Sequence, residues 1–342
     1  MKARRNKPTI VDVAKLADVS VATVSRIIND QGGVRKETED RIVQAIKELN
    51  YIPNAVARSM VQKETKAIAV IIPDIRNPFF SELVSSIEKK ALEKDYFTTL
   101  SNSNDSKVIE SKIVKHIIQR GVDGVIVTTA DEEGHQLKPL FDANIPVVAV
   151  DRILKNYLVD TVIIGNREGA YEAVQHLITE GHQKIAIIRG PQDTTPGIER
   201  YKGYKQALKE NGLKESSEWV KDGDFREQSG YDLTKQLYTL KDKPTAIFSS
   251  NNLMSLGVIK ALKELNWKLG EEVAFIGFDD LEIATFIKPE LTTVSRPMKQ
   301  IGEVAFDLLY KRMQEHDLEQ INKREIILAP SLKIRNSSKN KT

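Results

Sequence analysis

Five short stretches of this chain carry the residue types from which a polar ligand site is built. Asn77-Pro78-Phe79-Phe80, Asp151-Arg152, Arg200, Asn251-Asn252 and Asp279-Asp280 combine carboxylates, amides and guanidinium groups with aromatic rings. A polyhydroxylated ligand needs that mixture, because each hydroxyl both donates and accepts while ring faces cover its C–H surface. A different chemistry lies near the N-terminus. Arg26 can bond guanine O6 and N7 with both arms of its guanidinium, and Val21 and Ala22 offer only apolar contact, for instance to a thymine methyl. Each feature also has a plainer structural use. Phe79 and Phe80 can be core, Asp151 and Asp279 can cap helices, Arg200 can pair at the surface, and Val21 to Arg26 can be the outer face of a small bundle. A pattern repeated in five loops favours a ligand.

Catalysis is poorly served by the same sequence. There is no G-x-S-x-G elbow, no phosphate-cradling G-x-x-x-x-G-K-[ST] and no cysteine. The five histidines, at 116, 135, 176, 182 and 316, include no close pair with metal-ligand spacing. His176 and His182 flank a helix end and suit structural bonds. Asp279 and Asp280 are adjacent in one loop, and such neighbours rarely converge on a scissile bond. No enzyme, metal or cofactor is called for.

The elements that would position Arg26 are short helices. Thr9 is placed to N-cap a helix from Ile10 to Ala17, with Asp12 three residues on to complement the exposed amides. Val13, Ala14 and Leu16 would supply its apolar side. Asp18-Val19 forms a tight connection, and Ser20 caps a second helix over Val21–Ile28 whose Val24, Ile27 and Ile28 make one stripe. Val21, Ala22, Ser25 and Arg26 then face outward. After Gly32-Gly33, a third helix turns Ile42, Ala45, Ile46 and Leu49 inward. Two helices joined by a turn and closed by a third describe a helix-turn-helix unit, whose second helix enters the DNA major groove.

Beyond residue 65, strand-like apolar runs alternate with helical patterns. Strands are expected at Ala67–Ile72, Phe97–Leu100, Gly124–Val127, Val147–Val150, Val162–Ile164, Ile185–Ile188, Ala246–Phe248 and Val273–Ile276, with helices such as Leu83–Leu92 and Ala170–Ile178 between. Buried strands alternating with helices imply parallel sheets covered on both faces. About 260 residues of this pattern exceed one sheet, so two α/β lobes follow. Ligands bind beyond the C-terminal strand ends of such sheets, and a cleft between two lobes combines two such edges. The five polar stretches fall in loops at those ends, Arg200 in the loop after Ile185–Ile188.

Composition agrees with a two-part chain of 342 residues. Residues 1–62 hold eleven Lys/Arg against seven Asp/Glu, a net +4, while the remainder carries −1. A basic head on a neutral body suits a phosphate-facing module joined to one that faces something uncharged. No apolar run approaches a membrane span, no signal peptide is evident, and the absence of cysteine rules out disulfides; a cytoplasmic protein is expected.

Val11-Asp12-Val13-Ala14, Val19-Ser20, Thr23-Val24-Ser25-Arg26 and Asn29, followed by Leu49-Asn50-Tyr51-Ile52-Pro53-Asn54, resemble the lac-repressor (LacI/GalR) family. The resemblance continues through Gly190-Pro191, Arg200, Gly203-Tyr204, Ile276-Gly277-Phe278-Asp279-Asp280, Pro289 and Leu291-Thr292-Thr293, covering residues 9–335. It implies a DNA-binding domain over 1–62 with a hinge helix at about 53–61, and a sugar-binding and dimerisation domain over 65–335. The first lobe would hold about 65–164 and 294–326, the second about 165–293 and 327–335, with 336–342 a flexible tail. DNA contacts implied by the family fall on Thr9, Ser20, Val21, Ala22, Thr23, Ser25, Arg26, Asn29, Asn54, Ala57 and Met60. Met60 matches the residue that wedges into the minor groove. Asp18 stands where the family usually has glycine. The domain is also similar to periplasmic pentose-binding proteins, whose sugar contacts would fall on Asn77, Phe79, Phe80, Asp151, Arg152, Arg200, Phe225, Asn251 and Asp279. That set looks most like the ribose-operon repressors, except that Arg296 replaces an expected amide and leaves room for a phosphorylated or acidic sugar. The implied partners are operator DNA, a small sugar and a second copy of the chain; the polar tail without leucine heptads implies dimers. The family's catabolite-control members offer an alternative, since they read a phosphorylated carrier protein and carry similar residues at Ala22 and Arg26.

Overall fold

A computed structural model describes residues 8–29, 32–51, 64–314 and 322–339. The chain divides into two compact units, Met1–Thr65 and Lys66–Thr342.

In the first unit, helices α1 (Ile10–Leu16), α2 (Val21–Ile28) and α3 (Lys36–Leu49) enclose a core of Val13, Ala14, Ala17, Val24, Ile42 and Ala45. Thr9 and Asp12 form a reciprocal capping box: the Asp12 amide donates to Thr9 Oγ1 at 3.4 Å and the Thr9 amide to Asp12 Oδ2 at 2.8 Å. Ser20 Oγ accepts from the Thr23 amide at 3.1 Å and starts α2. Between these helices Asp18 adopts φ +51°, a conformation its short polar side chain tolerates. The apolar side of α1 differs from expectation. Leu16 is 46% exposed and Ala17 is buried instead, because Ile10, Val13, Ala14 and Ala17 follow the 3.6-residue repeat and Leu16 falls off it. Thr9→Ala is expected to cost about 1 kcal/mol of local stability by removing the cap. Roughly fivefold faster amide exchange over α1 would register it.

The second unit contains two six-stranded sheets. The first is built from β1 (Ala67–Ile72), β2 (Phe97–Asn102), β3 (Gly124–Val127), β4 (Val147–Val150), β5 (Asp160–Ile164) and β11 (Glu325–Leu328). Their spatial order is β11-β5-β4-β3-β1-β2, all parallel. The second is built from β6 (Ile185–Arg189), β7 (Val220–Asp222), β8 (Ala246–Ser249), β9 (Ala274–Phe278), β10 (Thr292–Ser295) and β12 (Ser331–Lys333), in the order β12-β10-β9-β8-β6-β7. Only β12 runs antiparallel to its neighbour. Helices α4 (Pro78–Leu92), α5 (Lys107–Arg120), α6 (Lys138–Asp142) and α12 (Met298–Gln314) belong to the first lobe. The second has α7 (Asn166–Thr179), α8 (Thr195–Glu210), α9 (Glu227–Thr239), α10 (Asn252–Glu264) and α11 (Ile283–Phe286). The central strands are apolar runs buried on both faces, as helix-covered parallel strands must be.

The chain passes between lobes three times: after β5, after β10 and after β11. The last two crossings fall later than residues 294 and 327, because β10 pairs with β9 through Val294 and β11 pairs with β5 through Leu328. The segment expected to be a flexible tail is docked as far as Ser338. The Asn336 amide donates to Glu290 O, Ser337 Oγ to Phe275 O at 2.7 Å, and Ser338 Oγ bonds with Thr292 Oγ1 and His176 Nε2. Both serines are fully buried, and these small hydroxyls satisfy backbone at the foot of the second sheet.

Candidate ligand cleft and nucleic-acid interface

The ligand site is assembled from strand ends. Residues that follow β1, β4, β7, β8, β9 and β10, including the start of α4, converge with Arg200 from α8 on a cavity of about 440 Å³ between the lobes. All ten ligand candidates line it: Asn77, Phe79, Phe80, Asp151, Arg152, Arg200, Phe225, Asn251, Asp279 and Arg296.

Local structure explains how each is aimed. Asn77 caps α4, accepting from the Phe79 amide at 3.0 Å, with Pro78 at the first helical position where a missing N–H costs nothing. Phe79 and Phe80 meet edge to face at 4.8 Å; both belong to the first-lobe core and also floor the cavity. Asn251 caps α10 through the Met254 amide and donates to Phe225 O at 2.9 Å. Asp151, Phe225 and Asp279 have φ of +67°, +64° and +78°. For a bulky phenylalanine this is a costly conformation of the kind that clusters at binding sites. Gly190 leaves room for its ring, since a Cβ there would lie 2.1 Å from the Phe225 ring.

The cleft holds three buried arginines in different settings. Arg152 clasps Asp105 with both arms, at 2.6 and 3.0 Å, and donates to Thr129 O. Burial alone would lower the Arg152 pKa, but Asp105 outweighs it and raises the value. Arg296 donates from NH1 to Asp151 Oδ1 at 2.8 Å and places Nε 2.5 Å from Asp279 Oδ1, with its guanidinium 3.5 Å above the Phe79 ring centre. Arg200 lies over Phe278 at 3.7 Å and donates to Asn166 Oδ1 and Ser250 O. Burial, with the Arg296 charge nearby, pushes it down to about 10. Arg200 is thus a buried member of α8, not a loop residue in a surface ion pair. Asp151 and Asp279 cap no helix among the described residues, and Asp280 turns away to a bidentate pair with Arg335. His176 and His182 bond Ser338 and Thr245 and do not line the cavity.

Several lining residues escaped the sequence reading. Asp74 and Arg76 share the loop of Asn77, and Asn104-Asp105 follow β2 by the same strand-end rule that found the others. Asp224 and Arg226 follow β7, whose three half-polar residues carry no strand signal.

On the first unit, Val21, Ala22 and Arg26 are exposed on α2, while Ser25, Thr23 and Asn29 are half-buried. The side chains of Thr9 and Ser20 are engaged in helix capping, and Asn29 Nδ2 donates to Ser25 Oγ at 3.3 Å. Asn54, Ala57 and Met60, with the expected hinge helix, lie outside the described residues. No described helix is long and apolar enough to cross a membrane.

A helix-turn-helix unit followed by a two-lobed α/β domain with a polar, aromatic-lined cleft defines a DNA-binding regulator whose effector domain is built like those that take small, sugar-like molecules. Residues 65–333 match the family model of periplasmic binding proteins and the sugar binding domain of the LacI family, and residues 9–54 match bacterial regulatory proteins of the lacI family. The chain belongs to the LacI family, whose members are non-catalytic regulators. It is 38% identical to the ribose operon repressor of Halalkalibacterium halodurans, over 91% of this chain and 92% of that one. It is 36% identical to catabolite control protein A of Priestia megaterium, over 91% and 94%. The solved structure of the lac repressor dimer bound to operator and the anti-inducer ONPF aligns with a TM-score of 0.86 at 26% identity, covering 98% of this chain and 100% of that one.

Proposed function

We propose that this regulator is a cytoplasmic repressor that binds a pseudo-palindromic operator as a homodimer, and that its cleft takes a ribose-like pentose. The reading rests above all on the convergence of the ten side chains on one cavity. Phe80 and Phe225 offer ring faces for sugar C–H groups, and Asp279 carries two buried carboxylate oxygens without hydrogen-bond partners among the described residues. Sugar hydroxyls donate to such oxygens and would remove the cost of burying them unsatisfied. The single charge of Arg296 is already met by two carboxylates, Asp151 and Asp279, which favours an uncharged sugar over a phosphorylated or acidic one.

DNA contact falls to Val21, Ala22, Ser25 and Arg26 on α2, supported by Thr9, Ser20, Thr23 and Asn29, with Asn54, Ala57 and Met60 assigned from sequence alone. Control is by linkage: a sugar that prefers one lobe arrangement shifts operator affinity by its differential binding to the two arrangements. Similarity to catabolite control protein A supports a second reading, in which a phosphorylated carrier protein takes the sugar's regulatory place.

The test is operator-binding anisotropy at fixed salt on a short pseudo-palindrome with a central CpG step. Ribose, other pentoses, hexoses and phosphorylated sugars are titrated singly. Ribose is expected to shift affinity severalfold, and Asp279→Ala to remove the shift. A specific complex that no sugar moves defeats the sugar reading and favours the carrier protein.

A further inference from the structure

We propose that Arg296 is a built-in tie between the lobes, a cation of the chain itself that holds the cleft closed without a ligand, and that an effector works by exchanging contacts with it. The exchange rests on the reading of the cleft as the effector site; the tie does not.

Arg296 sits at a crossing. It follows β10 of the second lobe and precedes α12, whose Ile301, Ala305 and Phe306 belong to the first-lobe core. From there its guanidinium reaches Asp151, immediately after β4 of the first lobe, and Asp279, immediately after β9 of the second. The three side chains are 4%, 8% and 2% exposed, respectively. Two carboxylates facing each other across a closing, desolvated cleft repel, and each loses water that it must replace. A guanidinium fixed between them reverses the sign of that interaction, so closure becomes favourable with no ligand present. The face of Phe79 below adds a cation–π contact that orients the fork.

The two halves of the tie are unequal. Toward Asp151 there is a hydrogen bond of 2.8 Å. Toward Asp279 there is close ion contact but no in-line hydrogen bond, and neither Asp279 oxygen nor Arg296 Nε has a hydrogen-bonded partner among the described residues. Oδ1 keeps its charge contact with Arg296, but Oδ2 is a buried acceptor without a hydrogen-bond donor, which is costly. The second-lobe half is therefore the half that a hydroxyl donor can replace. Asn252 Nδ2 to Asn77 Oδ1 at 2.8 Å and the Thr195 amide to Glu132 also span the lobes, but neither sets charge against charge.

The chain has no cysteine, which makes paired labelling clean. Val108, 66% exposed in the first turn of α5, and Gln228, exposed in the first turn of α9, lie on opposite lobes. The full chain carrying Val108→Cys and Gln228→Cys with nitroxide labels, diluted into unlabelled protein, reports the intrachain distance by pulsed electron resonance. Without ligand, a single narrow short-distance population is expected. Arg296→Gln is expected to shift a resolved fraction to longer distance, and Asp279→Asn, which keeps shape but removes the second anchor, to do likewise. Circular dichroism checks that both variants are folded. A broad, long distribution in the parent, or an unchanged narrow one in both variants, overturns the tie. Calorimetric titration of ribose into the same proteins reads the ligand assignment separately. No heat in any of them, with the distances shifting as expected, sinks ribose and leaves the tie. Heat with unmoved distances sinks the tie and leaves ribose.

Discussion

Arg312→Ala is expected to destabilise the effector unit by about 3–5 kcal/mol, the cost of leaving a buried charge without its partner. In a domain of this size that is a fall in melting temperature on the order of 10 °C. Arg312 comes from the last turns of α12 and grips Asp160, the first residue of β5, with two bonds of 2.6 and 2.8 Å. The same carboxylate accepts from the Arg324 amide at 2.8 Å, just before β11, and Arg312 also donates to Asn322 O. One ion pair thus fixes the end of α12, the start of β5 and the approach of the edge strand. Replacing both partners together, Asp160→Leu with Arg312→Met, is expected to cost much less than Arg312→Ala, because no charge is then buried alone. Calorimetric melting of the three proteins measures the difference.

The same pair sets an acid limit. Burial alone would push the Asp160 carboxyl up, but the Arg312 guanidinium and the Arg324 amide outweigh it and hold its pKa below the ordinary carboxylate value. A carboxylate depressed in the folded state contributes stability that is full above its unfolded pKa, about 3.9, and is lost as pH falls through the folded one. The penalty of Arg312→Ala is therefore expected to be largest near neutrality and to shrink below about pH 4.

The parts of the fold with strong periodicity were legible in the sequence, and the parts held by single polar bonds were not. Runs such as Ala67–Ile72 and Val147–Val150 are buried on both faces and declare themselves as central strands. The edge strands β7 and β12 have three residues each, half exposed, and carry no such run. Ser337 and Ser338 look like tail residues because nothing apolar marks them, yet backbone bonds bury them completely. The cleft was legible for a geometric reason: in parallel sheets the residues just past the strands share one edge, so loops read singly converge in space. Arg200 shows the limit of that rule, since it enters the cleft from the second turn of a helix. Arg296 shows another. Its residue type was visible as an added positive charge, but its use, between one carboxylate from each lobe, depends on contacts 145 and 17 positions away in the chain.

Arg26→Ala is expected to lose about 1–3 kcal/mol of discrimination between operator and random DNA, up to roughly a hundredfold, while nonspecific affinity falls only slightly. The asymmetry follows from the division of labour at such an interface. Phosphate contacts supply sequence-independent affinity with a steep salt dependence, whereas base edges are read by a few side chains on the second helix. Arg26 is exposed in the last turn of α2, and the side chain of Ser20, which caps that helix, is already committed to the Thr23 amide. Among the outward residues Val21, Ala22, Ser25 and Arg26, only the arginine has the paired donors that select guanine. Arg26→Lys keeps the charge but not the fork, so it should retain most of the nonspecific affinity and recover little of the discrimination. Anisotropy titrations on operator and scrambled duplexes across a salt series separate the two effects. Parallel loss on both duplexes, with the salt slope lowered by about one, would mean that Arg26 touches a phosphate and that another part of the protein reads the sequence.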